Sequence, residues 1–178
     1  MYLHKLRNFE LISTVFIMIL GIVLHFLYQW SSENYFVGYF SAVNESICEH
    51  LKLLFFPFLI TIILGRVYFK NEYDYYFCNK TKGLIVSLLF IVVFFYTYSG
   101  VLGKNVDFVN IISFFVAVII GQFYSYKNNK DNAVCNNFLA LFSLVILFVM
   151  FLIFTYNAPN LGIFNVLMNL MLDFLNII

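Results

Sequence analysis

Charged residues are scarce in this chain of 178 residues, in which Asp, Glu, Lys and Arg make up 11%, against about 25% in soluble domains. A compact soluble protein needs polar side chains over most of its surface, and this chain has too few of them. The net charge of +1 also provides no basic surface of the kind that binds nucleic acid. These shortages exclude an ordinary soluble enzyme, a disordered segment and an electrostatic nucleic-acid binder.

Long apolar runs take the place of the missing charges. Five runs reach the roughly 20 residues that cross a bilayer core, at about 9–30, 51–69, 84–103, 108–126 and 138–156. Their continuity favours helices, because membrane β-barrels use short alternating strands instead. The sequence therefore predicts an all-α, polytopic transmembrane helix bundle, in one domain over residues 1–178 and in contact with the lipid bilayer. We expect the second helix to begin near residue 44, ahead of its apolar run.

The C-terminal segment, residues 163–178, is too short to span a membrane, since a helix of that length measures about 24 Å. Its polar residues recur at helical spacing, at Asn165, Asn169, Asp173 and Asn176. One polar stripe on an apolar helix predicts a helix that lies along the membrane surface.

Lysine and arginine are distributed unevenly over the predicted loops. Alternate loops on one side contain eight of the ten, and the opposite loops contain only Lys104. The eight are Lys5, Arg7, Arg66, Lys70, Lys80, Lys82, Lys127 and Lys130. Because cytoplasmic loops are enriched in these residues, the pattern predicts a cytoplasmic N-terminus and an external C-terminus in a cell membrane.

The few cysteines fit this orientation. Cys78 and Cys135 fall in predicted cytoplasmic loops, where thiols stay reduced, and Cys48 stands alone near the outer side. The chain has no Cys-x-x-Cys motif. We therefore expect neither a disulfide nor a cysteine-based zinc site.

One histidine lies inside the first predicted span. His25 shares a helical stripe with small and polar residues, among them Thr14, Gly21 and Tyr28. Polar groups in a membrane helix usually face other helices, so His25 is expected to point into the outer half of the bundle. It is then either a hydrogen-bonded structural histidine or part of a site.

The densest polar run near any span opens the second helix. At 100° per residue Glu45, Glu49 and Lys52 share one side of that helix, and His50 lies about 100° away. Lys52 can pair with one carboxylate, and the other must share a proton, bind a cation or reach water. Together with His25, this run supplies the residue types of a metal site. The candidate ligands of a divalent metal ion are His25, Glu45, Glu49 and His50, and the candidate catalytic residues are Glu49 and His50.

The same run also has a structural interpretation. Asn44 or Ser46 can cap the helix, and Ser46-x-x-Glu49 matches a capping box. Lys52 can extend its amine to the membrane surface. The supporting polar residues that we single out for a site are Asn44, Lys52, Tyr98, Asp107 and Trp30, the last of which also suits an aromatic residue at the membrane interface.

Four strings in the chain are together similar to a family of small multi-pass bacterial membrane proteins classed only as a domain of unknown function. The strings are residues 25–31 (HFLYQWS), residues 43–53 (VNESICEHLKL), residues 96–103 (YTYSGVLG), and Gly121-Gln122 with Ser125-Tyr126. The family pattern has Trp where this chain has Cys48, and Pro-Pro where it has Ala158-Pro159. The resemblance implies a bacterial cell-membrane protein and supplies no activity.

Three functions are compatible with these features. The first is an outward-facing polar pocket, with a divalent metal, that acts on a lipid-linked or small polar substrate. The second is a proton- or cation-coupled transporter. The lack of a charged residue deep in the third to fifth predicted helices argues against it. The third is a non-catalytic subunit of a membrane complex, or a homo-oligomer, in which the polar cluster holds helices together.

Overall fold

A computed structural model describes residues 2–70, 72–131, 133–159 and 161–164. Over these residues it contains six α-helices and no β-strand. They are α1 (Tyr2–Trp30), α2 (Tyr35–Gly38), α3 (Ile47–Tyr68), α4 (Tyr76–Leu102), α5 (Asp107–Lys130) and α6 (Asn137–Tyr156). All except the short α2 are long and apolar enough to cross a membrane. The prediction of an all-α membrane bundle is confirmed.

Helix α3 occupies the centre of the bundle. Of its most apolar window 72% is buried inside the protein, whereas the corresponding windows of the other four long helices are 22–33% buried. It packs against α1, α4 and α6, while α4 and α5 form the most extensive helix pair. The outer helices expose rows of Ile, Leu, Val and Phe, which suits lipid rather than water.

The helix bounds differ from the predicted ones mainly where polar residues continue a helix. Helix α4 begins at Tyr76, well before residue 84, because Asn79 and Lys80 are fully buried against other helices and need no loop. Helix α1 begins at Tyr2 and α5 continues to Lys130. Apolar runs mark the lipid-crossing part of a helix but not its polar ends.

Close packing of α4 on α5 depends on two facing glycines. A Cβ atom on Gly121 would lie 2.6 Å from the backbone oxygen of Gly83, and one on Gly83 would lie 2.5 Å from the oxygen of Gly121. The hydroxyl of Ser87 donates to the carbonyl of Ala117 across the same contact, at 2.8 Å. Small residues thus allow two backbones to approach in the membrane.

The expectation of reduced cysteines is wrong in this structure, where Cys78 and Cys135 form a disulfide with their Cα atoms 5.9 Å apart. The bond links the first turn of α4 to the loop between α5 and α6. The sequence places both residues on the same side of the membrane but cannot show that these two segments touch.

Almost all of the predicted surface helix, residues 165–178, lies outside the described residues. Before it, Gly162–Phe164 form a short 3-10 helix, which follows an irregular segment at 157–159.

Candidate functional site

The predicted polar cluster separates into two groups in the structure. His25, Glu45 and His50 converge in one group, in which one ligand atom of each lies within 4.8 Å of the others. Glu49 and Lys52 form a second group, with Lys52 Nζ 2.7 Å from Glu49 Oε2. We call the first group the His25 triad. The end of the bundle that carries it is the His25 end, and the opposite end, where Glu10 lies, is the Glu10 end.

Helix packing brings His25 to the start of α3. One turn before His25, a Cβ atom on Gly21 would lie 3.0 Å from the backbone oxygen of Leu53. This close approach of α1 to α3 places the rings of His25 and His50 with centroids 5.4 Å apart. Nδ1 of His25 is buried and has no hydrogen-bond partner in the described part of the chain. A buried ring nitrogen without a partner is unusual and requires an explanation.

The backbone at the start of α3 orients His50. Ser46 caps this helix, with its hydroxyl oxygen accepting from the backbone N–H of Glu49. Its carbonyl oxygen lies 2.9 Å from Nδ1 of His50. A carbonyl only accepts, so Nδ1 carries a proton and donates it, which directs Nε2 away from the backbone. A histidine that ligates a metal is typically held by such a hydrogen bond from its other nitrogen.

Glu45 faces the free nitrogen of His50. Its Oε2 lies 3.2 Å from Nε2 of His50, and the Glu45 side chain is 60% exposed. The hydrogen bond with His50 lowers the pKa of the Glu45 carboxyl below its ordinary value. The carboxylate is therefore ionised near neutral pH and is available either to an imidazolium or to a cation.

The donor set of the His25 triad fits a divalent transition metal. Ligands at 2.0–2.1 Å in a tetrahedral site stand about 3.3 Å from one another, which is close to the 3.2 Å between Glu45 and His50. The ligand atoms of the triad lie within 4.8 Å of one another, so the more widely spaced ones must move closer to bind one ion. Rotation of the side chains provides this movement, and that of Glu45 is largely exposed. Two imidazoles and one carboxylate leave at least one coordination position open, as in catalytic sites.

A pocket of about 730 Å³ opens beside the triad. It is bordered by α1, α3, α4 and α5 and by the connection between α4 and α5. Most of its wall is apolar, and its polar lining residues are His25, Glu45, His50, Asn105, Asp107, Asn110 and Ser113. Such a pocket is large enough for a small-molecule ligand.

Glu49 and Lys52 are bonded to each other and to residues outside the triad. Besides Glu49, Lys52 Nζ donates to the carbonyl of Gly38 at 2.9 Å and to Thr155 Oγ1 at 3.0 Å. Glu49 also accepts from the backbone N–H of Val43 at 2.8 Å. The three donors of the ammonium are thus used, and the group ties α2, α3 and α6 together. The geometry separates Glu49 from the triad, so its predicted metal and catalytic roles are not carried further.

The supporting residues are placed differently from one another. Asn44 accepts from the backbone N–H of Ser46 at 2.9 Å and so shapes the turn before α3. Asp107 lines the pocket. Tyr98 donates to Asn105 at 2.8 Å and helps to hold the loop at the pocket mouth. Trp30 is 67% exposed and stacks on Phe26, as expected of an aromatic residue at the membrane interface.

A polar cluster at the Glu10 end was not predicted from the sequence. Lys80, which was assigned to a loop, is fully buried and pairs with Glu10 of α1 and with Gln122 of α5. Ser125 donates to Glu10 Oε1 at 3.3 Å and accepts from Asn129 at 3.3 Å. The available signal was an acid and an amide inside two predicted spans, since such residues usually face a partner in the bundle.

The chain was compared with protein families, curated proteins and solved structures. No curated protein and no solved structure matches it. A family model described as a family of unknown function (DUF6512) matches residues 2–170. This match confirms the resemblance to a family without an assigned activity. Because the match covers nearly the whole sequence, the chain belongs to that family of unknown function.

Proposed function

We propose that this membrane protein binds a divalent transition-metal ion through His25, Glu45 and His50, at the mouth of the pocket. Two observations carry the proposal: one ligand atom each of His25, Glu45 and His50 converges on one point, and Nδ1 of His25 is buried without a partner among the described residues. A metal bound through that nitrogen would give it a partner and would also account for the orientation of His50 by Ser46. A simple imidazolium–carboxylate pair between His50 and Glu45 would leave His25 without a role.

The proposed site is suited to chemistry on a lipid-linked or small polar substrate. A metal held by His25, Glu45 and His50 with one open position would supply a Lewis acid that polarises a substrate carbonyl or activates water. Asp107 lines the same pocket outside the triad, and we assign it the role of general base. Glu49 is not assigned that task because it is buried in an ion pair with Lys52, where its Oε2 accepts from Lys52 and from the backbone of Val43.

Transport is the weaker alternative. Lys80 does put a charge inside α4, which removes one argument against a carrier. However, the polar groups at the two ends are separated by Ile17, Leu84 and Val118, each fully buried in the apolar core. A buried apolar layer of this kind favours two separate sites over a continuous path for ions.

Cobalt titration of the purified protein in detergent tests the metal site, because Co²⁺ reports its ligands through visible absorption. We expect one equivalent to bind, and His25→Ala or His50→Ala to weaken binding by about 100-fold or more, since each removes a ligand. His4→Ala and Glu33→Gln are matched controls, because both residues are exposed and lie outside the triad. Metal binding by wild-type protein that both histidine variants retain would contradict the proposal, as would the absence of stoichiometric Co²⁺ or Zn²⁺ binding.

The proposal includes an orientation, with the N-terminus in the cytoplasm of a bacterial cell and the His25 end outside. The Lys and Arg pattern supports it even without the buried Lys80, since the charged loops still share the Glu10 end. The Cys78–Cys135 disulfide points the other way, because it would lie on the reducing side.

Reporter fusions decide between these two observations. A cytoplasmic fluorescent reporter fused after Asp131 should be active, and an alkaline phosphatase fused after Lys104 should also be active. The reversed pattern, with an active phosphatase only after Asp131, would overturn the orientation and place the triad in the cytoplasm.

A further inference from the structure

We infer that the pocket beside the His25 triad receives one lipid-like amphiphile with an uncharged, hydroxyl-bearing headgroup, which enters sideways from the bilayer between α1 and α5. The headgroup assignment rests on the proposed metal site, whereas the entry of an apolar chain does not.

The pocket has the polarity gradient of a lipid leaflet. Most of its polar lining lies near helix ends, with Glu45 just before α3, Asn105 just before α5 and Asp107 at its first residue. The deeper hydroxyl of Ser113 already donates to the carbonyl of Asn110, at 2.7 Å. Its apolar lining lies deeper in the bundle, at Leu53 and Ile91 among others. A ligand with a polar head and an apolar chain therefore fits in the same direction as a lipid in that leaflet.

The pocket is open towards lipid between α1 and α5. Its floor lies where these helices touch, since a Cβ atom on Gly21 would lie 2.5 Å from the ring of Phe114. Nearer the His25 end, Ile22, Phe26 and Ile111 line the pocket and are 45%, 41% and 57% exposed. Helices α3 and α4 form the back wall through Ile47 and Phe95. A slot with exposed apolar edges within a membrane span admits a hydrocarbon chain without passage through water.

The charge of the lining selects the headgroup. Among the described residues that line the pocket, the polar side chains include two carboxylates and two carboxamides, and none is Lys or Arg. A divalent ion on the triad would neutralise the carboxylates of Glu45 and Asp107, which leaves the polar end close to neutral. A phosphate headgroup would reach only the open position of that metal, and it would bring in a negative charge that no Lys or Arg of the described lining balances. Hydroxyl and carbonyl groups, by contrast, can bond to Asn105 and Asn110.

The inference is tested by measuring which lipids the purified protein retains. Purified protein is incubated with equal amounts of glucosyl-diacylglycerol and phosphatidylglycerol of the same chains, and bound lipid is counted by native mass spectrometry. We expect the uncharged glycolipid to be retained at least about tenfold better. Ile111→Trp should abolish that retention by filling the slot. Ile112→Trp is the matched control, because Ile112 is 44% exposed beside it but does not line the pocket.

The outcomes separate the two proposals when Co²⁺ binding is measured on the same samples. Equal retention of both lipids, a preference for phosphatidylglycerol, or unchanged retention in Ile111→Trp would overturn the inference while Co²⁺ binding still supports the metal site. Glycolipid retention that is lost in Ile111→Trp, in a protein that binds no Co²⁺, would support the slot and overturn the metal site.

Discussion

Replacing Lys80 with Met should lower the free energy of unfolding by about 3–5 kcal/mol, because it leaves the carboxylate of Glu10 buried without its cation. Lys80 is fully buried and Glu10 is 4% exposed, so water cannot take over the role of the ammonium. Gln122 loses its partner in the same variant. Thermal and denaturant unfolding in one detergent, followed by circular dichroism, measure the change.

Two variants separate burial of an unpaired charge from a general effect of the substitution. The double variant Glu10→Leu/Lys80→Met removes both charges and should regain most of the loss, since an apolar pair often replaces a buried ion pair without penalty. Lys82→Met changes a partly exposed lysine two residues away and should stay within about 0.5 kcal/mol of wild type. A Lys80→Met protein as stable as Lys82→Met would show that the pair at the Glu10 end contributes nothing.

Replacing Lys52 with Met should have an effect of similar size at the His25 end, about 3–5 kcal/mol. The variant removes three hydrogen bonds and leaves Glu49, which is 3% exposed, without its counter-charge. Lys104→Met, at an exposed position in the loop between α4 and α5, is the matched control. The double variant Glu49→Gln/Lys52→Met should be more stable than Lys52→Met alone.

Cobalt binding measured on Glu49→Gln gives this prediction a second readout. If Glu49 only holds helices together, the variant has a lower unfolding temperature and binds one Co²⁺ like wild type. If Glu49→Gln loses Co²⁺ and keeps its stability, Glu49 is a metal ligand and the division of the cluster into two groups is wrong.

Buried ion pairs at both ends give the bundle a fixed frame around its pocket. Lys52 ties α2, α3 and α6, and Lys80 ties α1, α4 and α5. The His25 triad, by comparison, contains the exposed Glu45 and a histidine nitrogen without a partner. Unpartnered buried atoms also occur at the Glu10 end, at Gln122 Nε2 and Asn129 Oδ1. The triad is distinguished instead by the convergence of three possible metal-ligand atoms on one point beside a pocket.

The helices and the triad were predictable to different degrees. The run ending at Tyr156 became α6 with nearly its predicted bounds, because twenty apolar residues have few alternatives in a bilayer. The prediction that His25 faces the bundle near His50 agrees with the structure. Glu45 and Glu49 lie on the same side of the predicted helix, which places both in the predicted metal site. The angular position of a residue on a helix does not show which residues of other helices its side chain contacts.

A membrane bundle of apolar helices follows from the amino-acid sequence, because the length and continuity of an apolar run are properties of the chain alone. The contact of Cys78 with Cys135 and the burial of Lys80 against Glu10 are visible only in the folded bundle. These pairs are distant in sequence, and their contacts depend on which helices pack together and at what depth. Helix packing in lipid follows small residues and shape complementarity, which local patterns record poorly.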